Sequence, residues 1–233
     1  MADDCIMVIG AHTTDAEVMG GCQILLHVAA GWRAVLVHCT LGEKGHPRLD
    51  PAVYGEQKRR EAEAAARLLG ASCVFLPYRD GELPVNDEVQ WQIADLIRLH
   101  RPTVVLTHWK GSFHRDHRNT HLNVMEALYL AGLPAFQRPQ PAHAPRAVYF
   151  CENWEDMEDY QPDIVLDVST VFDQYLEAIR CYELVRGGIS RFPYARYYEA
   201  LSIVRGAVAG FERAVTLMLP ARARLQRRQS LLG

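Results

Sequence analysis

The chain has 233 residues, of which 49% are hydrophobic and 23% are charged, a composition that is ordinary for a globular protein with a hydrophobic core. No linker-like stretch divides it, so we predict one domain over residues 1–233. A net charge of −3 gives no electrostatic reason to expect nucleic acid or an acidic membrane surface as a partner, and no apolar run is long enough to span a membrane.

The six cysteines are scattered along the chain without a paired spacing. Cys5, Cys39 and Cys73 lie in or beside apolar runs, where a free thiol behaves as a small buried hydrophobic group. The start of the chain is acidic where a secretory signal would be basic. These observations favour a reducing, cytoplasmic location.

Short apolar runs alternate with helix-like segments along most of the chain. In chain order we predict a strand at Cys5–Gly10, a helix at Val18–Ala30, a strand at Arg33–Cys39, a helix at Tyr54–Leu69, a strand at Ser72–Leu76, a helix at Asp87–His100 capped by Asn86, a strand at Pro102–Thr107, a helix at Arg118–Ala131, strands at Ala147–Phe150 and Ile164–Asp167, and a helix at Val171–Val185. The proline-rich segment Pro134–Pro145 is expected to form a surface loop or a lid. This order predicts an α/β protein with a Rossmann-like three-layer fold, in which helices cover both faces of a mainly parallel sheet.

In such sheets, ligands bind beyond the carboxyl ends of the strands. Polar residues that follow the first four predicted strands are therefore expected to meet in space. They are His12 and Asp15, Glu43 and His46, Asp80, and the residues from His108 to His121. The first turn, Gly10-Ala11-His12, lacks the glycine-rich phosphate loop of a dinucleotide-binding protein, which argues against that function.

The segment Leu106–His121 contains four histidines and an aspartate. One of these histidines, added to His12 and Asp15, would complete a set of two imidazoles and a carboxylate. Zinc in hydrolases commonly takes three such ligands and leaves a fourth position open for water. Two other interpretations stay open: a polar loop with incidental histidines, and an Asp15 that caps a helix beside a hydrogen-bonded His12.

Two spaced motifs then point to a known family. Ala11-His12-Thr13-Thr14-Asp15-Ala16-Glu17 resembles the motif A-H-P/A-D-D-x-E, and His114-Arg115-Asp116-His117 resembles H-P-D-H. Blocks between and after them, in the expected order, are Gly42–Gly45, Arg59–Ala62, Tyr78–Gly81, Tyr197–Ala200 and Arg205-Gly206. Over most of its first 125 residues the chain is similar to the PIG-L/LmbE-like family of metal-dependent N-deacetylases.

The resemblance implies zinc, or another divalent transition metal, held by His12, Asp15 and His117. It also implies that His114 polarises or protonates the reacting group, with Asp116 orienting the His114 ring. A positively charged imidazole at that point would stabilise the negative charge that develops in acyl transfer.

The same resemblance implies that Arg60 approaches the substrate, an N-acylated amino sugar or a related small conjugate, and that the protein is a homo-oligomer. Asp80 is placed for a substrate hydroxyl or for the ring of a metal-binding histidine, and Glu43 lies in a neighbouring loop. We count Arg60, Glu43 and Asp80 as candidate substrate-binding residues.

Thr14 departs from the family pattern. The family has two consecutive aspartates here; the second is the metal ligand, kept as Asp15, and the first is the general base, which Thr14 replaces. A threonine hydroxyl does not ionise near neutral pH, and general-base catalysis typically contributes ~10²–10⁴-fold. Three explanations follow: His114 or Glu43 supplies the base, the reaction or substrate differs, or the protein is a metal- or sugar-binding relative with little hydrolytic activity.

Overall fold

A seven-stranded sheet forms the centre of the protein in the computed structural model, which describes residues 4–224. Its strands, in chain order, are β1 (Cys5–His12), β2 (Arg33–Thr40), β3 (Ser72–Tyr78), β4 (Val104–His108), β5 (Ala147–Cys151), β6 (Ile164–Asp167) and β7 (Ala214–Met218). They lie in the order β3-β2-β1-β4-β5-β7-β6. The first five are parallel, and β7 pairs antiparallel with both β5 and β6.

Helices cover both faces of this sheet. They are α1 (Asp15–Ala29), α2 (Pro51–Leu69), α3 (Asp87–His100), α4 (Arg115–Gly132), α5 (Phe172–Ile179), α6 (Glu183–Arg186) and α7 (Tyr194–Ala209), with a short 3₁₀ helix at Ala221–Arg224. All eight residues of β1 are buried, and alternate side chains enter two separate apolar cores. Ile6 and Val8 pack in the core that contains α1, α2 and α5, whereas Met7 and Ile9 pack in the core that contains α3 and α4. The predicted three-layer α/β fold is confirmed.

Several element boundaries differ from the sequence prediction. Helices α1 and α4 each begin three residues earlier than predicted, at Asp15 and Arg115. The single helix predicted over Val171–Val185 is two helices, because the extended backbone of Tyr182 interrupts it and turns its ring into the core. The sequence prediction missed α7 and β7 altogether, whereas α3 has the predicted bounds and its Asn86 cap accepts a hydrogen bond from the amide of Val89.

A buried arginine anchors the end of α4 that lies away from the histidine cluster. Arg98 of α3 donates hydrogen bonds to the carbonyl oxygens of Leu130, Ala131 and Leu133, at 2.9 to 3.1 Å. Its charge also complements the negative end of the α4 helix dipole. Within residues 4–224, no helix is both long and apolar enough to cross a bilayer.

Candidate metal centre

The site forms where β1 and β4 lie side by side and reverse the order of the sheet. His12 is the last residue of β1, and Asp15 begins α1. The loop after β4 leads into α4, where His114 is the N-cap and His117 lies in the first turn. Adjacent strand ends therefore bring together two motifs that are a hundred residues apart in sequence.

One carboxylate oxygen of Asp15 faces two imidazoles. Its Oδ2 lies 2.9 Å from Nδ1 of His12 and 3.2 Å from Nε2 of His117. It also accepts the backbone amide of His12 at 2.8 Å. Thr14, and not Asp15, is the N-cap residue of α1, so the interpretation of Asp15 as a helix cap is wrong.

The charged groups of this cluster strongly shift one another's pKa values. Burial raises the pKa of the Asp15 carboxyl, but the facing rings of His117 and His12 outweigh it and hold that pKa well below its usual range. Burial lowers the pKa of the His117 imidazole, but Asp15 and Asp156 outweigh it and raise that pKa to about 10. The carboxylates of Asp15 and Asp156 therefore stabilise positive charge at His117.

Asp156 fixes the orientation of His117. Its two carboxylate oxygens lie 2.8 Å from Nδ1 of His117 and 2.6 Å from Nδ1 of His108, and it is fully buried. The contact leaves Nε2 of His117 turned to Asp15 and, at 3.3 Å, to Oε2 of Glu155. Carboxylates behind metal-binding histidines commonly set the ring in this way.

The donor chemistry fits a divalent transition metal. Among residues 4–224, three groups of three side chains have ligand atoms within 4.8 Å of one another. They are His12, His114 and His117; Asp15, His108 and His117; and His12, Asp80 and Asp116. None of these groups is the predicted set of His12, Asp15 and His117, although that set has imidazole and carboxylate donors of the kind that suits zinc.

Asp116 does not orient His114 as the sequence predicted. Nδ1 of His114 accepts the backbone amide of Asp116, while the Asp116 carboxylate accepts the amide of Gly81 at 2.6 Å and lies 3.3 Å from Nε2 of His12. The difference arises because His114 caps α4 and its ring folds back on the helix start. An acceptor at Nδ1 leaves the Nε2–H of a neutral His114 ring free to donate.

Thr14 and a lysine form a second feature beside the cluster. The Thr14 backbone has φ of 96°, a conformation that is rare for a β-branched residue. Its amide donates to Oε2 of Glu17, and its hydroxyl lies 2.5 Å from Nζ of Lys58, a buried residue of α2. Lys58 lies inside a helix and belongs to no motif, so nothing in the sequence marks it as a site residue.

The three predicted substrate-binding residues lie in different places. Asp80 lines a cavity beside the histidine cluster, and its Oδ1 lies 3.2 Å from Nε2 of His12. Glu43 does not line that cavity; its Oε1 accepts the amide of Asp80. Arg60 is exposed on α2 and does not line the cavity either, so the structure does not bring it to the substrate as predicted. Lys58, two residues earlier, takes the inward position.

A cavity of about 420 Å³ opens above the cluster. His12, Asp15, His114 and His117 line it, and Trp154 and Tyr194 line its aromatic side. Trp154 stacks on Phe192 with ring centroids 4.1 Å apart, and Phe192 contacts Tyr194 edge to face. Ile189 and Ser190, which follow α6, line the cavity, whereas no residue of Pro134–Pro145, the predicted surface loop or lid, does so.

The fold and the site define the class: a Rossmann-like α/β protein with a candidate divalent-metal centre at the carboxyl ends of its strands. Comparison with known sequences gives the family. The chain belongs to the PIG-L family, since the family's sequence model, described as GlcNAc-PI de-N-acetylase, matches residues 7–128.

Relatives across this family carry out more than one reaction. The chain is 28% identical over 212 residues to 4-oxalmesaconate hydratase of Pseudomonas putida. This match covers 87% of this chain and 80% of the hydratase. It is 27% identical over 226 residues to diacetylchitobiose deacetylase of Thermococcus kodakarensis, and this match covers 88% of this chain and 79% of the deacetylase. Family membership alone therefore does not decide between hydrolysis and hydration.

Solved structures show the same fold. The 4-carboxy-2-hydroxymuconate hydratase of Pseudomonas putida superimposes with a TM-score of 0.83 at 23% identity, covering 97% of this chain and 100% of that one. The N,N'-diacetylchitobiose deacetylase of Pyrococcus horikoshii gives a TM-score of 0.80 at 22% identity, with 93% and 84% covered.

Proposed function

We propose that this protein is a zinc-dependent hydrolase that removes an acyl group, such as acetyl, from an N-acylated amino sugar or a related small conjugate. The observation that carries the proposal is the contact of both His12 and His117 with Asp15, in the lining of a cavity that also has aromatic side chains. Membership of a family that includes deacetylases supports it.

His12, Asp15 and His117 would hold the metal, which when bound acts as a Lewis acid and lowers the pKa of water. His114 would donate a hydrogen bond from Nε2 to the oxygen of the acyl group, where negative charge develops. Asp80 and Asp116, which both face Nε2 of His12, would fix that ring rather than bind substrate.

The aromatic side of the cavity would hold the sugar. Trp154 and Tyr194 offer flat apolar faces at the cavity wall, and such faces pack well against a carbohydrate ring. The acyl group would then lie toward the histidines.

A hydratase is the second candidate. The similarity to the Pseudomonas putida hydratase extends over 87% of this chain, about as far as the similarity to the Thermococcus kodakarensis deacetylase. Lys44 and Lys58 also line the cavity, which would suit the carboxylates of an unsaturated dicarboxylic acid. Both candidates need a bound metal and an activated water molecule.

The test combines metal analysis with two assays on the same preparation. We expect about one equivalent of zinc per chain by mass spectrometry, and acetate release from N-acetylglucosamine derivatives. Decay of the ultraviolet absorbance of 4-oxalmesaconate without acetate release would favour the hydratase. A protein that binds no metal would contradict both candidates, and a protein that binds metal and sugars without forming product would be the non-catalytic relative.

A cytoplasmic location and a homo-oligomeric state are further parts of the proposal. Six free thiols in the chain suit a reducing compartment. Light scattering on the purified protein measures the oligomeric state directly.

A further inference from the structure

We propose that Lys58, acting through the Thr14 hydroxyl, is the proton acceptor that replaces the missing aspartate. The inference rests on the proposed function, because it concerns the water that attacks the substrate.

The geometry connects the two side chains directly. Nζ of Lys58 lies 2.5 Å from Oγ1 of Thr14 and 2.8 Å from the carbonyl oxygen of Thr13. Both Lys58 and Thr14 line the cavity, beside His12 and Asp15. A proton that reaches the Thr14 oxygen therefore needs one further hydrogen bond to reach the amine.

Lys58 has an environment that is unusual for a lysine. Its side chain is 2% exposed, and in residues 4–224 no carboxylate lies within ion-pair distance of its Nζ. The rings of Tyr182 and Tyr54 lie 4.8 and 5.9 Å from Nζ. The charged groups around it at longer range are Asp15 and Glu17 of α1, Glu61 of α2 and Asp80 after β3.

These surroundings increase the fraction of Lys58 that is neutral at physiological pH. Burial lowers the pKa of Lys58 to about 8, and the four surrounding carboxylates oppose that shift without cancelling it. A lysine with a pKa near 8 is suited to general-base catalysis, because it is partly neutral at working pH and still basic.

The composition of the chain points the same way. Three lysines stand against 22 arginines, and Lys58 is the buried one, whereas Lys44 and Lys110 are not buried. Arginine does not lose its proton in proteins, so it cannot serve as a base. A lysine at this one buried position is what proton transfer requires.

The protons and the bonds balance over an addition and an elimination. In the addition, the neutral Lys58 amine takes the Thr14 hydroxyl proton while Thr14 Oγ1 takes a proton from the attacking water, whose oxygen bonds to the acyl carbon as the C=O π bond opens. In the elimination, the C=O π bond re-forms as the C–N bond breaks, the electron pair of the C–N bond stays on nitrogen, and the leaving amine takes the proton that Lys58 holds, by way of Thr14. The products are a carboxylic acid and an amine, and Lys58 is neutral again.

Other candidate bases lie less well for this role. Glu155 also lines the cavity, but its Oε2 lies 3.3 Å from Nε2 of His117, a proposed metal ligand. Glu43 is held by the amide of Asp80 and lies outside the cavity lining. Neither has a contact with the Thr14 hydroxyl, whereas Lys58 does.

The first experiment compares Lys58→Arg and Lys58→Met with the native enzyme, using Lys110→Met as the matched control at an exposed lysine. We expect both Lys58 variants to keep their zinc and to lose ~10²–10⁴-fold in kcat/KM. We also expect the native enzyme to gain activity as the pH rises to about 8, and both variants to lack this rise. Lys110→Met should match the native profile. A Lys58→Arg variant with native activity and pH profile would overturn the inference, because arginine keeps the charge but cannot accept a proton.

The second experiment tests the hydroxyl and the rescue. Thr14→Ser should retain activity and Thr14→Val should lose it. The double variant Thr14→Asp with Lys58→Met should recover most of the activity that Lys58→Met loses, since a carboxylate then stands where the family has its base. Equal activity of Thr14→Val and the native enzyme would contradict the relay.

A third readout does not depend on turnover. With only three lysines, the side-chain NMR signal of Lys58 can be assigned from its loss in Lys58→Met and followed with pH in the metal-free protein. We expect it to titrate near 8 and to shift in Thr14→Val. A Lys58 that stays charged above pH 10 would overturn the inference even if no substrate is turned over, whereas absent turnover with the expected titration would contradict the proposed function alone.

Discussion

Asp156 lies with one carboxylate oxygen 2.8 Å from Nδ1 of His117, so a buried acid fixes which nitrogen of that ring faces the candidate metal centre. The residue belongs to the loop after β5, and neither motif in the sequence contains it. The fold therefore adds to the site a group that the motifs do not show.

Replacement of Asp156 by asparagine should weaken metal binding. The asparagine side chain has one acceptor oxygen in place of two, so it cannot accept hydrogen bonds from both His117 and His108 in the same way. We therefore expect zinc affinity to fall by ~10–100-fold. Competition with a coloured chelator measures this. Asp173→Asn, at an exposed acid of α5, is the matched control and should bind zinc like the native protein. Equal affinity of both variants would show that Asp156 does not support the metal.

His117 and His121 allow a direct test of which histidines hold the metal. They are one turn apart on α4, but His117 faces Asp15 and His121 lies against the carbonyl oxygen of His108 at 2.9 Å. We expect His117→Ala to lose bound zinc and His121→Ala to retain it. Elemental analysis after gel filtration gives the answer, and retention of zinc in His117→Ala would contradict the proposed ligand set.

Trp154 should contribute to substrate binding rather than to metal binding. Its ring lines the cavity and stacks on Phe192. Loss of an aromatic contact worth about 0.5–1.5 kcal/mol predicts that Trp154→Ala raises KM by roughly 2- to 12-fold. Trp91→Ala, at an aromatic pair remote from the cavity, should leave KM unchanged. Unchanged KM in Trp154→Ala would remove Trp154 from the binding surface.

Lys58 should cost the protein stability at neutral pH. Its folded-state pKa of about 8 is below the usual value of 10.5, so unfolding takes up protons between these two values and stability rises with pH there. Below pH 8 the buried charge lowers the free energy of unfolding by its full amount, at most about 3 kcal/mol. Lys58→Met should therefore unfold at a higher temperature than the native protein at pH 7, with the gain shrinking as pH rises from 8 to 10.5. A gain that is constant with pH would contradict the lowered pKa.

Sequence reasoning could place the two motifs because strand order determines which loops meet. The apolar run of β1 and the alternation of strands and helices predicted that His12, Asp15 and His117 would come together, and the structure brings them together. Their assignment as metal ligands stays a prediction.

The choice between Arg60 and Lys58 could not be made from the sequence. Two residues along a helix rotate a side chain by about 200°, so the phase of α2 against the sheet decides which of them faces the cavity. Likewise, β7 is a short strand whose partners lie far away in sequence, and only tertiary pairing with β5 and β6 reveals it.

The left-handed backbone at Thr14 is held by its own contacts, with the Glu17 carboxylate on its amide and Lys58 on its side chain. Such conformations cost of order 1–3 kcal/mol and persist only where the surrounding structure imposes them. Because Glu17 accepts a hydrogen bond from the main-chain amide of Thr14, the side chain at position 14 can change while the loop keeps its shape. One substitution can therefore exchange a carboxylate for a hydroxyl, and relatives that share the candidate metal ligands can differ in chemistry while they keep the same fold.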